Sequence, residues 1–225
     1  MQYREVVQRL KAHANADNVA GMARYGINPH NTLGVSIPYL RALAKECGKD
    51  HALALKLWDS GIHEARILAS MVAEKDKVTR SMMDSWARDF DSWDVCDQVC
   101  GNLFRHTPHA RDKAMQWSGR KQAFVKRAAF SLMAGMVVAD KQASDESFLP
   151  FLEIIEREAH DERNFVKKAV NWALRSIGKR NRALNKQAVA TARRILKQES
   201  KAARWVARDA LRELTDEKVV ARLKS

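Results

Sequence analysis

The segment FVKRAAFSLM, residues 124–133, returns forty-one residues later as FVKKAVNWAL, residues 165–174. In the second copy Val166, Ala169, Val170, Ala173 and Ile177 fall at steps of three and four, which places them on one face of a helix. HEARILASMV (63–72) and ARWVARDAL (203–211) follow the same pattern more loosely. Matching Arg66, Asp97, Arg127, Lys168 and Trp205 gives steps of 31, 30, 41 and 37 residues. A short helix with one apolar face must bury that face on a neighbour, so this drifting repeat predicts helical pairs stacked in chain order.

The rest of the chain agrees. Helical periodicity predicts helices over 2–14, 16–25, 36–47, 50–59, 63–74, 77–90, 92–104, 108–118, 121–138, 144–158, 162–178, 183–198, 201–214 and 216–223, and no strand. Nine Gly and four Pro are too few for a sandwich, a barrel or a Gly-looped nucleotide fold. Connections are short and no Pro/Ser linker interrupts them. The expectation is one continuous all-α domain over residues 1–225, a HEAT- or armadillo-like solenoid with a concave basic groove.

Charge is segregated along the chain. Residues 1–112 carry 15 basic and 14 acidic side chains, whereas 113–225 carry 25 and 13. From Arg163 to Arg212 there are 15 cations against two acids, Glu199 and Asp209. Solubility alone does not require such segregation, so the second half is expected to meet a polyanion. No apolar run approaches the about 18 residues of a membrane span. The N-terminus MQYREVVQRLKAHA mixes charge with hydrophobe from the start, and the three Cys form no secreted pattern. An untargeted soluble protein of the cytosol is expected, with no cofactor and most simply a monomer.

Helical phase selects the residues that face outward. In KAARWVARDALREL, Ala203, Val206, Ala207, Ala210, Leu211 and Leu214 make the apolar stripe. Trp205 shares the opposite face with Lys201, Arg204, Arg208 and Arg212; an indole filling a groove between repeats is the competing explanation for it. Trp172 lies on a strip with Lys168 and Arg175. In DSWDVCDQVCGNLF (91–104), Cys96, Val99, Cys100 and Leu103 face inward and Asp91 or Ser92 is placed to cap the helix. Asp94 stands in the first turn, where the helix dipole favours a carboxylate. Trp93, Asp97 and Gly101 then stack one turn apart. Glycine weakens a helix there by about 1 kcal/mol, so either a ligand or a closely packed helix uses the room. Arg127 is flanked by Ala123, Ser131 and Ala134, which predicts an unobstructed guanidinium suited to phosphate, with Lys126 beside it.

SWDVCDQV, FVKRAAF and FVKKAVNWALR together resemble the AlkD family of bacterial DNA alkylation repair glycosylases, HEAT-like proteins that excise alkylated purines. GVSIPYLRALAKE (34–46) is similar to the family's entry helix, so the resemblance covers most of the chain. It places the family's tryptophan–carboxylate pair on Trp93 and Asp97, its active-site arginine on Arg127 and its second tryptophan on Trp172. Tyr25 corresponds to a tyrosine near the site. ADKQASDES (139–147) looks like an insertion relative to the family pattern.

The resemblance implies hydrolysis of the N-glycosidic bond of cationic N3- or N7-alkylated purines in double-stranded DNA. A base already carrying positive charge leaves without a general acid, so one carboxylate, Asp97, suffices to stabilise the oxocarbenium ion and orient water. Trp93 and Trp172 would hold the sugar, and Lys126, Lys168, Arg175, Arg204, Trp205, Arg208 and Arg212 the DNA. Such members leave the lesion stacked, and no base pocket is evident in the sequence. A metal site from Cys96, Cys100, His106 and His109 lacks the tight spacing of zinc ligands. The alternative is a non-catalytic helical-repeat protein that binds nucleic acid through its basic face.

Overall fold

In the computed structural model, which describes residues 1–224, every regular element is helical. Residues Met1–Ala110 form one compact unit and Arg111–Ser225 another. The first contains α1 (Tyr3–Ala12), α2 (Ala16–Arg24), α3 (Ile37–Cys47), α4 (His51–Asp59), α5 (His63–Val72), α6 (Arg80–Arg88) and α7 (Trp93–Asn102). The second contains α8 (Ala110–Ser118) from its second residue on, α9 (Ala123–Ala139), α10 (Leu149–Glu158), α11 (Asn164–Gly178), α12 (Arg182–Leu196), α13 (Lys201–Leu214) and α14 (Glu217–Ala221).

Local chemistry sets the boundaries. The side chains of Asn15, Ser36, Asp50, Thr79, Asn181, Ser200 and Asp216 accept the first free N–H groups of the helices they precede. Pro38 and Pro150 stand in the first turns of α3 and α10, where the missing N–H costs nothing. Residues Asp145–Phe148, expected to begin the helix, form a tighter 3-10 turn ahead of Pro150.

Helices pack on near neighbours in chain order, as HEAT-like repeats do. In the first unit α5 lies against α3, α4 and α7. In the second, α9, α11 and α13 make one layer and α10 and α12 another, with α11 against both. The predicted stripes are the core: Cys96, Val99 and Cys100 on α7 and Leu103 just past its end are at most 1% exposed, as are Val166, Ala169, Val170, Ala173 and Ile177 on α11. Tryptophans 58, 86 and 117 are core residues; Trp58 stacks on Trp86 with ring centres 4.0 Å apart. Trp93 is half-buried, and Trp172 and Trp205 are 36% and 40% exposed.

Candidate functional site

Asp97 and Trp93 line a hollow of about 620 Å³ in the first unit, together with Tyr25 and Met22 from the α2 end and Val35 and Ile67. The half-buried Asp97 carboxylate borders a mostly apolar recess. Two devices build it. First, α2 has no buried residue, so it roofs the recess without filling it. Second, Glu64 on α5 is fully buried and accepts the N–H groups of Leu33 (2.9 Å), Gly34 (2.6 Å) and Val35 (3.2 Å), which fixes the opposite wall. Gly34 has φ +76°, and a Cβ there would lie 2.2 Å from the Asn15 carbonyl oxygen. The wall is also tied to α2, because Asn15 N donates to Leu33 O at 2.7 Å and Asn18 Nδ2 to Gly34 O at 2.9 Å. The sequence reading missed Glu64; an acid on the apolar side of a helix was the available signal.

Trp93 Nε1 donates to the backbone carbonyl of Tyr25 at 3.1 Å, which fastens the indole to the end of α2 and leaves the Tyr25 side chain 75% exposed. Neither Asp91 nor Ser92 caps α7 as expected. Both are drawn to Asn28 instead: the buried Ser92 hydroxyl accepts its backbone N–H and Asp91 its side-chain amide, each at 2.9 Å. Asp94 Oδ2 lies 2.8 Å from Nε2 of the buried His63. Burial by itself lowers the His63 pKa, but the hydrogen bond and charge of Asp94 raise it overall. A Cβ at Gly101 would meet nothing within 4 Å, so helix packing does not explain this glycine and the room beside Asp97 is open.

In the second unit two expectations fail. Lys126, expected at the DNA, is 7% exposed, with Nζ 2.6 Å from Glu158 Oε2 and 3.0 Å from Asp161 Oδ2. Burial alone raises the pKa of each acid; hydrogen bonds from Lys126 and from Arg163 to Asp161, and from Lys126 and Arg157 to Glu158, hold both below the usual carboxylate range. Arg127 is likewise 7% exposed rather than unobstructed, and its Nη1 donates to the Phe165 carbonyl at 2.7 Å. The small residues around it permit close packing of α9 on α11 instead of clearing a path to solvent.

The other basic positions divide. Arg175 is half-buried, its Nη1 2.5 Å from Glu213 Oε2, and Arg212 pairs with Asp209 though it remains exposed. Lys168 and Arg208 are exposed and Arg204 half-exposed; none makes an ion pair among the described residues. Trp172 lines a second hollow of about 740 Å³ with Val138, Lys141, Lys179 and Arg180. The 139–147 segment reaches that hollow because Arg180 staples it, donating to the carbonyls of Val137 (2.7 Å), Asp140 (2.8 Å) and Ala143 (2.8 Å). Cys96 and Cys100 are buried, and no group of three or more His, Cys, Asp or Glu among the described residues is placed to hold a metal ion.

No curated protein matches the chain. A solved structure described as a new family of proteins related to the HEAT-like repeat DNA glycosylases, with affinity for branched DNA structures, superposes with a TM-score of 0.77 at 20% identity. That match covers 94% of this chain and 95% of the other, and at this identity it speaks for the fold. An engineered protein at 13% identity reaches a TM-score of only 0.42 over 96% of this chain and 99% of that one. The family model for the DNA alkylation repair enzyme matches residues 6–214, and the chain accordingly belongs to that family.

Proposed function

We propose that the protein is a monofunctional glycosylase that hydrolyses the N-glycosidic bond of N3- and N7-alkylated purines in double-stranded DNA. The supporting observation is the placement of Asp97 and Trp93 on the wall of one apolar recess. A carboxylate in such surroundings acts through a lower effective dielectric than in water, so it stabilises a sugar that is becoming cationic. Asp97, which lines the recess one helical turn from Trp93, is the group assigned to orient water at the anomeric carbon.

The Trp93 face adds about 0.5–2 kcal/mol toward a nearby cation. The purine leaves as a neutral base, its alkyl charge having cancelled on cleavage, so no general acid is required and the lesion need not leave the stack. Trp172, Lys168, Arg204 and Arg208 are assigned to the DNA. Arg127 becomes a positioning residue that acts through the first turn of α11.

Incubation with methylated duplex DNA, followed by assay of free base and alkali-labile sites, tests this reading. Asp97→Asn is expected to cut base release by about 10²–10³-fold with duplex affinity held or raised. Unchanged release removes Asp97 from the chemistry. A second reading, binding of branched DNA without excision, takes its support from the fold neighbour with that affinity. Retained junction binding with no release by the wild-type protein selects it.

A further inference from the structure

We infer that Trp205 and the cations around it on α13 form a subsite for an unpaired nucleotide, on which a base stacks. This goes beyond the proposed excision chemistry and does not depend on it. The apolar needs of α13 are met without the indole, since Ala203, Val206, Ala207, Ala210 and Leu214 are all fully buried. Trp205 stays 40% exposed and lines a hollow of about 490 Å³ with Lys201, Arg204, Arg208, Asp209 and Arg212. That volume lies within the about 300–1,000 Å³ usual for sites that hold a small molecule. The explanation of an indole filling a groove between repeats does not fit a ring so open.

The hollow is cationic despite its one acid. Asp209 pairs with Arg212, lies 3.8 Å from Arg175 Nε and accepts from Asn171 Nδ2 at 3.1 Å. Lys201, Arg204 and Arg208 make no ion pair among the described residues. Lys167, from α11, places its Nζ 5.0 Å from the centre of the indole, adding charge at the ring itself. Phosphates alone would need only the cations. A base within a duplex has both faces covered by its neighbours, so it cannot use the indole. The ligand that offers a backbone charge and a free π-face together is a nucleotide outside the stack, as at an overhang or a gap.

Fluorescence anisotropy at one salt concentration, with a blunt duplex and the same duplex carrying a short single-stranded overhang, tests the assignment. Wild-type protein is expected to prefer the overhang, Trp205→Phe to keep most of that preference, and Trp205→Ala to lose it by about five- to hundredfold. A 2-aminopurine at the first unpaired position should be quenched by the wild-type protein and not by Trp205→Ala. Equal loss on both DNAs, no wild-type preference, or quenching that survives the substitution overturns the subsite. Should Trp205→Ala not fold, Trp205→Leu takes its place in both measurements. Excision of methylated blunt duplex is assayed alongside: absent excision with an intact overhang preference refutes the glycosylase reading alone.

Discussion

Gly34, which lines the recess, and Gly101, one turn beyond Asp97 on α7, show how one residue type carries two meanings. At Gly34 an added Cβ meets the Asn15 carbonyl at 2.2 Å and the backbone holds φ at +76°, so Gly34→Ala must move α2 or the loop. We expect a loss of about 2–4 kcal/mol in urea melts. At Gly101 the space is empty and φ is not in the left-handed region, so Gly101→Ala is expected to stabilise α7 by about 0.5–1 kcal/mol. If the sugar uses that room, base release by Gly101→Ala falls while its melting midpoint rises; a rise in both shows that the gap has no part in substrate binding. The phase of Trp93, Asp97 and Gly101 could be read from the sequence because it follows from helix geometry alone. The occupations of Glu64, Lys126 and Arg127 could not, because helical phase marks which face a residue is on and not which partners another repeat brings to it.

At the scale of elements, buried ion pairs tie helices together, and the two units respond to pH in opposite directions. His63 joins α5 to α7 through Asp94, and its pKa is raised by folding. Stability from this tie is fully present below the unfolded histidine value of about 6.5 and is lost as pH rises through the raised folded value. Urea midpoints should therefore fall as pH rises above about 6.5, with Asp94→Asn flattening that slope; an unchanged slope rules the pair out as its source. In the second unit Asp161 and Glu158 are depressed, so their contribution is present above the unfolded carboxylate values of about 4 and is lost in acid. Lys126→Ala removes the cation the two acids share, leaving Asp161 only Arg163 and Glu158 only Arg157, and should cost about 3 kcal/mol. A DNA contact at Lys126 would instead appear as a weaker salt dependence with stability intact. Most helix boundaries were readable to within three residues from apolar period. The exception is the start of α10, where the 3-10 turn precedes Pro150 and the proline itself was the unused signal.

For the whole molecule, counting residues revealed the charge segregation but not how much of it is already answered. The stretch from Arg163 to Arg212 has 15 cations in sequence. In the fold Arg163 is held by Asp161, Arg175 and Lys179 by Glu213, Arg180 by three carbonyls, and Arg194 by Glu156. Lys168, Arg204 and Arg208 make no ion pair among the described residues. Each cation that reaches a phosphate contributes about 0.9 to the slope of log K against log salt on duplex DNA. Replacing Arg204 and Arg208 together by Ala is therefore expected to lower that slope by about 1.8, whereas Arg175→Ala changes it little. Asp97→Asn should leave the slope untouched while removing base release, because its carboxylate sits in the other compact unit and acts on the sugar rather than the backbone charge. Measured across one salt series, these variants separate binding from chemistry. If the double arginine variant keeps the wild-type slope, the cations of α13 do not meet phosphate, and the basic second half serves some purpose other than DNA.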